Sequence, residues 1–239
     1  MIPEGVFHTV NSLSERIERI LGVFPERKWY RSLTPFERLI STILSQNTSR
    51  EATMKGFENL RKRFPLVPEV LADAKVEEIK ECIRSSGLYN MKAPRIRQVA
   101  RVILEEYGGD LKNLSPLSSD EARKRLLAIP GVGFKTADII LSVVLERGSF
   151  AVDTHIGRIA KRWKMVRPNA GYEEIRVAFE AVIPRNKRRR AHLALIEFGR
   201  DICKARGPRC GACPVYRECE WKEKGEPSGV DYRVLTKSS

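Results

Sequence analysis

The stretch Leu127-Ala-Ile-Pro-Gly-Val-Gly-Phe-Lys-Thr-Ala137 decides how this chain is read. A helical pattern over residues 119–127 stops at Ile129-Pro130, because proline supplies no N–H and restricts the residue before it. Gly131 and Gly133 permit positive φ and the close approach of another molecule's backbone. A new helix begins near Phe134. N–H groups at such a start point outward, and the helix dipole favours an anion there. A nucleic-acid phosphate met by Gly131, Val132 and Gly133 suits the turn without any base being read. By itself, Pro-Gly-x-Gly is also an ordinary helix–turn–helix connection. Lys135 lies just inside the second helix. A lysine there serves either as an amine nucleophile or as a solvated phosphate contact.

Working outward, helical periodicity dominates. Phe36, Leu39, Ile40, Ile43 and Leu44 fall on one helical face. Thr34-Pro35 before them supplies a cap and a first-turn proline. Similar patterns run over 51–64, 76–83, 93–107, 119–127, 135–146, 154–164, 172–183 and 188–203, separated by glycine and proline breakers. Ser149-Phe-Ala-Val152 is the best strand candidate and is too short to build a sheet. The class is all-α. After that piece comes Ala151-Val-Asp-Thr-His155, which sets Asp153 at the start of a helix. Asp is a preferred cap, and a carboxylate fixed by capping bonds is also preorganised for chemistry.

The 239 residues carry 44 Lys plus Arg against 30 Asp plus Glu, a net charge of +14. That excess favours polyanionic partners, whose phosphates release counterions when neutralised, but membrane surfaces and acidic proteins would benefit too, so charge alone does not choose among them. No apolar run approaches a membrane span, and the N-terminus lacks a secretory pattern. The expected location is therefore the cytoplasm, or the nucleoid region if the cell has no nucleus. Glutamine occurs only at Gln46 and Gln98 while Lys, Arg, Glu and Ile abound, a composition that fits a thermophilic source. No heptad or large apolar patch is evident, so a monomer is the default.

Of five cysteines, Cys82 stands alone in a helical pattern and reads as a small hydrophobe. The others follow the spacing Cys203-x6-Cys210-x2-Cys213-x5-Cys219. An intracellular chain disfavours disulfides. Spacing alone fits both structural zinc and an iron–sulfur site. Lys204, Arg206 and Arg209 lie between the first two cysteines, where a pinned loop would hold them against phosphates. The basic run Arg185-Asn-Lys-Arg-Arg-Arg190 reads either as part of a DNA face or as a solvated helix start.

Taken together, Leu127-x-x-Pro-Gly-Val-Gly-x-Lys-Thr-Ala137, Val152-Asp-Thr-His155, Gly87-Leu-Tyr-Asn-x-Lys-Ala93 and the cysteine cluster resemble the helix–hairpin–helix DNA glycosylase superfamily, and within it the endonuclease III group. The resemblance runs from about Pro35 to Lys222. It implies a bifunctional glycosylase and abasic-site lyase of base-excision repair, acting on double-stranded DNA with a damaged base or abasic site. Lys135 matches the attacking lysine and Asp153 the catalytic carboxylate. All four cysteines match a [4Fe–4S] cluster site. Gln46 or Asn47 matches the polar residue that fills the gap left by a flipped base. Leu88 matches an apolar wedge.

The implied architecture is two helical domains with a cleft between them: a central domain, 34–147, and a cluster-bearing domain of 1–33 plus 148–222, followed by a polar tail, 223–239. Oxidised pyrimidines are the default substrates. Gln46-Asn-Thr-Ser-Arg50 and the apolar Phe134 depart from the best-known pyrimidine-specific members. A uracil or thymine mismatch glycosylase on the same scaffold is therefore one alternative. A non-catalytic DNA-binding protein with structural zinc is another.

Overall fold

A computed structural model of the chain describes residues 4–25 and 33–226. Among the described residues every regular element is helical. The chain divides into two compact units, Trp29–Arg147 and Met1–Lys28 with Gly148–Ser239.

The first unit holds α2 (Pro35–Leu44), α3 (Arg50–Arg63), α4 (Pro68–Asp73), α5 (Val76–Ile83), α6 (Tyr89–Tyr107), α7 (Ser119–Ala128) and α8 (Phe134–Val143). Its core gathers Leu39, Ile40, Ile43, Leu60, Leu71, Ile79, Ile96, Ile103, Leu126 and Ile140, all essentially without solvent contact. Local chemistry sets the helix starts. Thr34 and Glu37 form a capping box at α2, and Ser118 and Glu121 form another at α7. At six residues, α4 is too short for periodicity to reveal.

Two boundaries differ from the sequence reading by three residues or more. Helix α6 begins at Tyr89 and takes Pro94 inside it, rather than starting at Ala93. Pro94 is the sixth residue of α6, past the N–H groups that a helix start leaves unbonded, so it removes one bond from the helix's own ladder. Helix α8 ends at Val143, short of Glu146. The chain unwinds there with Leu145 N bonded to Ile140 O and Arg147 N to Leu141 O, and Glu146 adopts a φ of 51°.

The second unit holds α1 (Glu4–Val23), α9 (Thr154–Arg162), α10 (Tyr172–Val182) and α11 (Arg188–Asp201). Leu13, Ile17, Ile20 and Leu21 of α1 share a core with Phe150, Ile156, Trp163, Phe179, Leu195 and Phe198. The strand candidate at 149–152 has no regular secondary structure and joins no sheet among the described residues. Side chains satisfy its backbone instead: Phe150 N donates to Glu180 Oε1 at 2.9 Å, Val152 N to Tyr172 Oη at 3.2 Å, and His192 Nδ1 meets Ala151 O at 2.9 Å. Phe150 stacks on Phe179 with ring centroids 4.8 Å apart. Most of the sequence's polar tail lies outside the described residues, which end at Glu226.

Candidate active site and nucleic-acid interface

The hairpin between α7 and α8 is built as a tight reversal. Val132 N donates to Ile129 O at 3.0 Å, and Gly131 sits at φ 78°. A Cβ at Gly131 would also strike the Arg95 side chain. Gly133 differs: it has φ −91° and ψ 179°, and a Cβ there would meet nothing within 4 Å. Of the two glycines, only Gly131 needs the left-handed region. Val132 is buried, with its N–H spent on Ile129, so it anchors the turn and presents little to a ligand. No side chain caps the start of α8 at Gly133, and Gly133 and Phe134 are exposed. This leaves an uncapped helix N-terminus facing outward, the physical requirement for holding a phosphate. Lys135 is half-buried in the first turn of that helix.

Arg123 of α7 braces the hairpin from behind. It meets Asp138 of α8 through paired bonds of 3.0 and 3.1 Å, and its guanidinium lies 5.3 Å from the Phe134 ring centre.

Two further loops of the same unit belong with the hairpin. Residues 45–49 follow α2. Here Gln46 is half-buried, and its Nε2 donates to Gly131 O at 3.2 Å. Asn47 is exposed at φ 51°. The sequence left these two amides equivalent. The structure separates them, tying Gln46 to the hairpin and presenting Asn47 at the surface. The second loop precedes α6, where Gly87 and Leu88 both have positive φ, 62° and 49°. Leu88 is 50% exposed and so is not held by packing, the bland alternative for an apolar residue after a helix end.

In the other unit, Asp153 caps α9, its Oδ1 accepting from Ile156 N at 2.8 Å. His155 packs its ring against Gly199, and Arg158 Nη2 donates to its Nδ1 at 3.0 Å. Burial lowers the His155 pKa.

The four cysteines of the C-terminal loop are half-buried free thiols, and Cys203, Cys213 and Cys219 pack on the core. Burial first, then the neighbouring Cys219, Cys203 and Cys210, push the Cys213 thiol up to about 12. Half-buried thiols, two of them with pKa values raised chiefly by burial, are a donor set suited to a soft metal centre, since metal binding relieves the cost of thiolate burial. Among the described residues, no three His, Cys, Asp or Glu stand grouped as a metal ion would hold them.

Arginine supports the loop from outside. Arg162 Nη1 donates to Cys203 Sγ at 3.3 Å and to Lys204 O at 2.7 Å, and Arg158 Nε donates to Cys203 O at 2.9 Å. Arg206 and Arg209 are exposed and Lys204 half-exposed. The basic run at 185–190, by contrast, is largely turned to internal work. Arg188 bonds Ile183 O, Gly148 O and Glu180 O, Arg190 bonds Leu21 O, and Lys187 pairs with Glu18. Nothing in the sequence marked these arginines as caps for Gly148 O and Leu21 O, which lie 40 and 169 residues away.

An uncapped helix start behind a glycine hairpin, a lysine in its first turn and an exposed basic loop between cysteines are features suited to nucleic-acid backbone. The match to known proteins is specific. Residues 40–185 fit the HhH-GPD superfamily of base excision DNA repair proteins, and the chain belongs to that family. It is 37% identical to endonuclease III of Thermotoga maritima over 90% of this chain and 96% of that one. It is 33% identical to endonuclease III of Bacillus subtilis over 82% and 85%. A solved endonuclease III–DNA complex superposes with a TM-score of 0.78 at 29% identity, covering 88% of this chain and 95% of that one. The chain is thus a base-excision DNA glycosylase with abasic-site lyase activity. No described helix is long and apolar enough to cross a membrane.

Proposed function

We propose that Lys135 is the attacking amine and Asp153 the assisting carboxylate of a bifunctional enzyme that removes oxidised pyrimidines, such as thymine glycol, from double-stranded DNA. The observation that carries this reading is Lys135 in the first turn of α8, directly behind the uncapped start at Gly133. A phosphate held at that start would bring the neighbouring sugar within reach of the amine.

The chemistry balances without any oxidant. The Lys135 amine adds to C1′ as the glycosidic C–N bond breaks, and the base leaves with a proton. The nitrogen gives up one proton, the C1′–O4′ bond opens with O4′ taking a proton, and a protonated C1′ Schiff base results. Removal of a C2′ proton then expels the 3′ phosphate, and water hydrolyses the imine to free the lysine. Asp153 is held in one rotamer by the Ile156 N–H, and a fixed carboxylate is suited to accept a proton from the amine and to stabilise positive charge on the sugar.

Asn47 and Leu88 supply the insertion groups. Asn47 offers an amide to the stranded base, and Leu88 an exposed apolar wedge. Gly131 and Gly133 shape the phosphate turn, and Val132 and Gln46 hold it. Lys204, Arg206 and Arg209 add backbone contacts.

Cys203, Cys210, Cys213 and Cys219 would hold a [4Fe–4S] cluster. The thiol chemistry, and the nearness to Cys213 by which the other three raise its pKa, support that assignment. The cluster would supply a rigid pin for the basic loop, not a reacting group.

Borohydride trapping on a duplex with an abasic site tests the reading. Wild type and Asp153→Asn should bind the duplex, wild type should give a covalent adduct, and Lys135→Ala should give none. Wild-type protein that binds but yields neither adduct nor nick would overturn it. A panel of thymine glycol, G·U and G·T duplexes separates oxidised-base from mismatch specificity.

A further inference from the structure

Lys92, in the first turns of α6, is 2% exposed. Its Nζ donates to Leu44 O at 2.8 Å, Thr48 Oγ1 at 2.7 Å and Ser86 O at 2.7 Å. All three acceptors are neutral. An ammonium has three N–H donors and the neutral amine only two, so the complete set requires the charged form. Burial lowers the pKa to about 8, so the charge is costly here. An apolar side chain in the same space would take this donor away from Leu44 O, Thr48 Oγ1 and Ser86 O, so the charge is retained by what it bonds.

What the charge accomplishes is connection. Leu44 and Thr48 bracket the loop that carries Asn47, and Ser86 immediately precedes Gly87-Leu88. The Thr48 hydroxyl, besides accepting from Lys92, bonds to Ser86 O and lies 3.1 Å from Gln46 O. Gln46 in turn reaches the hairpin at Gly131 O. Asn47 and Leu88 are both non-glycine residues at positive φ, a conformation that persists only where the surroundings enforce it.

We propose that Lys92 is a positioning residue that locks the Asn47 loop and the Leu88 loop into one rigid edge, so that both enter the duplex together when a nucleotide is extruded. The inference rests on the reading of Asn47 and Leu88 as insertion groups. Parting stacked bases costs a few kcal/mol per step, and loops that deform under that load would stall it.

The test is stopped-flow fluorescence on a duplex with a tetrahydrofuran abasic analogue opposite 2-aminopurine, which brightens on unstacking. Lys92→Met and Thr48→Val should slow the rise on the order of tenfold, while amplitude per folded molecule and affinity for undamaged duplex stay within about twofold. Lost folded protein would lower amplitude rather than rate. If Lys92→Met does not fold, Thr48→Val, which keeps the lysine and two of its bonds, decides alone. Wild-type rates in the folded variants, or an equal loss of affinity for undamaged duplex, would overturn the proposal. Leu88→Ala separates the two levels. If it leaves the wild-type signal unchanged, the insertion reading fails and this inference with it. If it abolishes the signal while the Lys92 and Thr48 variants behave as wild type, only the inference fails.

Discussion

Arg123 and Asp138 join the two helices of the hairpin through parallel hydrogen bonds of 3.0 and 3.1 Å, with the carboxylate wholly buried. The pairing matters because α7 and α8 must keep their angle for the turn between them to present its N–H groups. Removing one partner of a buried ion pair strands the other's charge. Arg123→Ala should therefore destabilise the protein by about 3 kcal/mol. Urea unfolding followed by circular dichroism measures this. A loss too small to resolve would mean that water reaches Asp138 as soon as the guanidinium is gone.

The hairpin glycines should separate stability from binding. Gly131→Ala places a Cβ at φ 78° against Arg95, so it should cost roughly 1–2 kcal/mol and weaken DNA binding as well. Gly133→Ala faces open space at an ordinary φ, so its stability should change by less than about 0.5 kcal/mol. Its DNA affinity should nevertheless fall, because the methyl group stands where a phosphate would approach. Parallel melting and fluorescence-anisotropy titrations check both. Equal affinities for Gly133→Ala and wild type would remove that position from the interface.

His155 should make stability depend on pH. Its folded pKa is depressed by burial, so as pH falls through the ordinary histidine range the unfolded chain binds more protons than the folded one. Stability from this group is therefore fully present above the usual histidine value and is lost on acidification. Urea midpoints at about pH 7.5 and about pH 5.5 should show the drop in wild type and a flatter response in His155→Gln. An identical slope in the variant would assign the effect to other groups.

The cysteine loop makes a prediction in composition and colour. Protein purified without oxygen should contain about four irons per chain and absorb broadly in the visible. Cys213→Ala should lose both, along with part of the DNA affinity carried by Arg206 and Arg209. One zinc per colourless chain would replace the cluster with a structural zinc site.

The sequence by itself determined the local features. Helix starts at Thr34, Ser118 and Asp153, the stop at Ile129-Pro130 and the reversal at Gly131 follow from short-range chemistry in which each residue acts on neighbours one turn away. The order of the hairpin, Lys135, Asp153 and the cysteines was legible for the same reason. Tertiary structure decided what depends on partners far apart in the chain. The pairing of Gln46 with Gly131 spans 85 residues, and the lysine at 92 meets acceptors 6, 44 and 48 residues away. The extended piece at 150–152 looked like a strand because its residues favour extended backbone. It is no strand because Tyr172, Glu180 and His192 reach its N–H and C=O groups before any second strand could. Likewise the arginines at 188 and 190 read as a DNA face or a solvated helix start until packing brought Gly148 O and Leu21 O within their reach. Periodicity records which face of an element is apolar. It does not record which distant backbone atom will be left needing a hydrogen bond, and in this chain those unmet needs fix the shape of the candidate site.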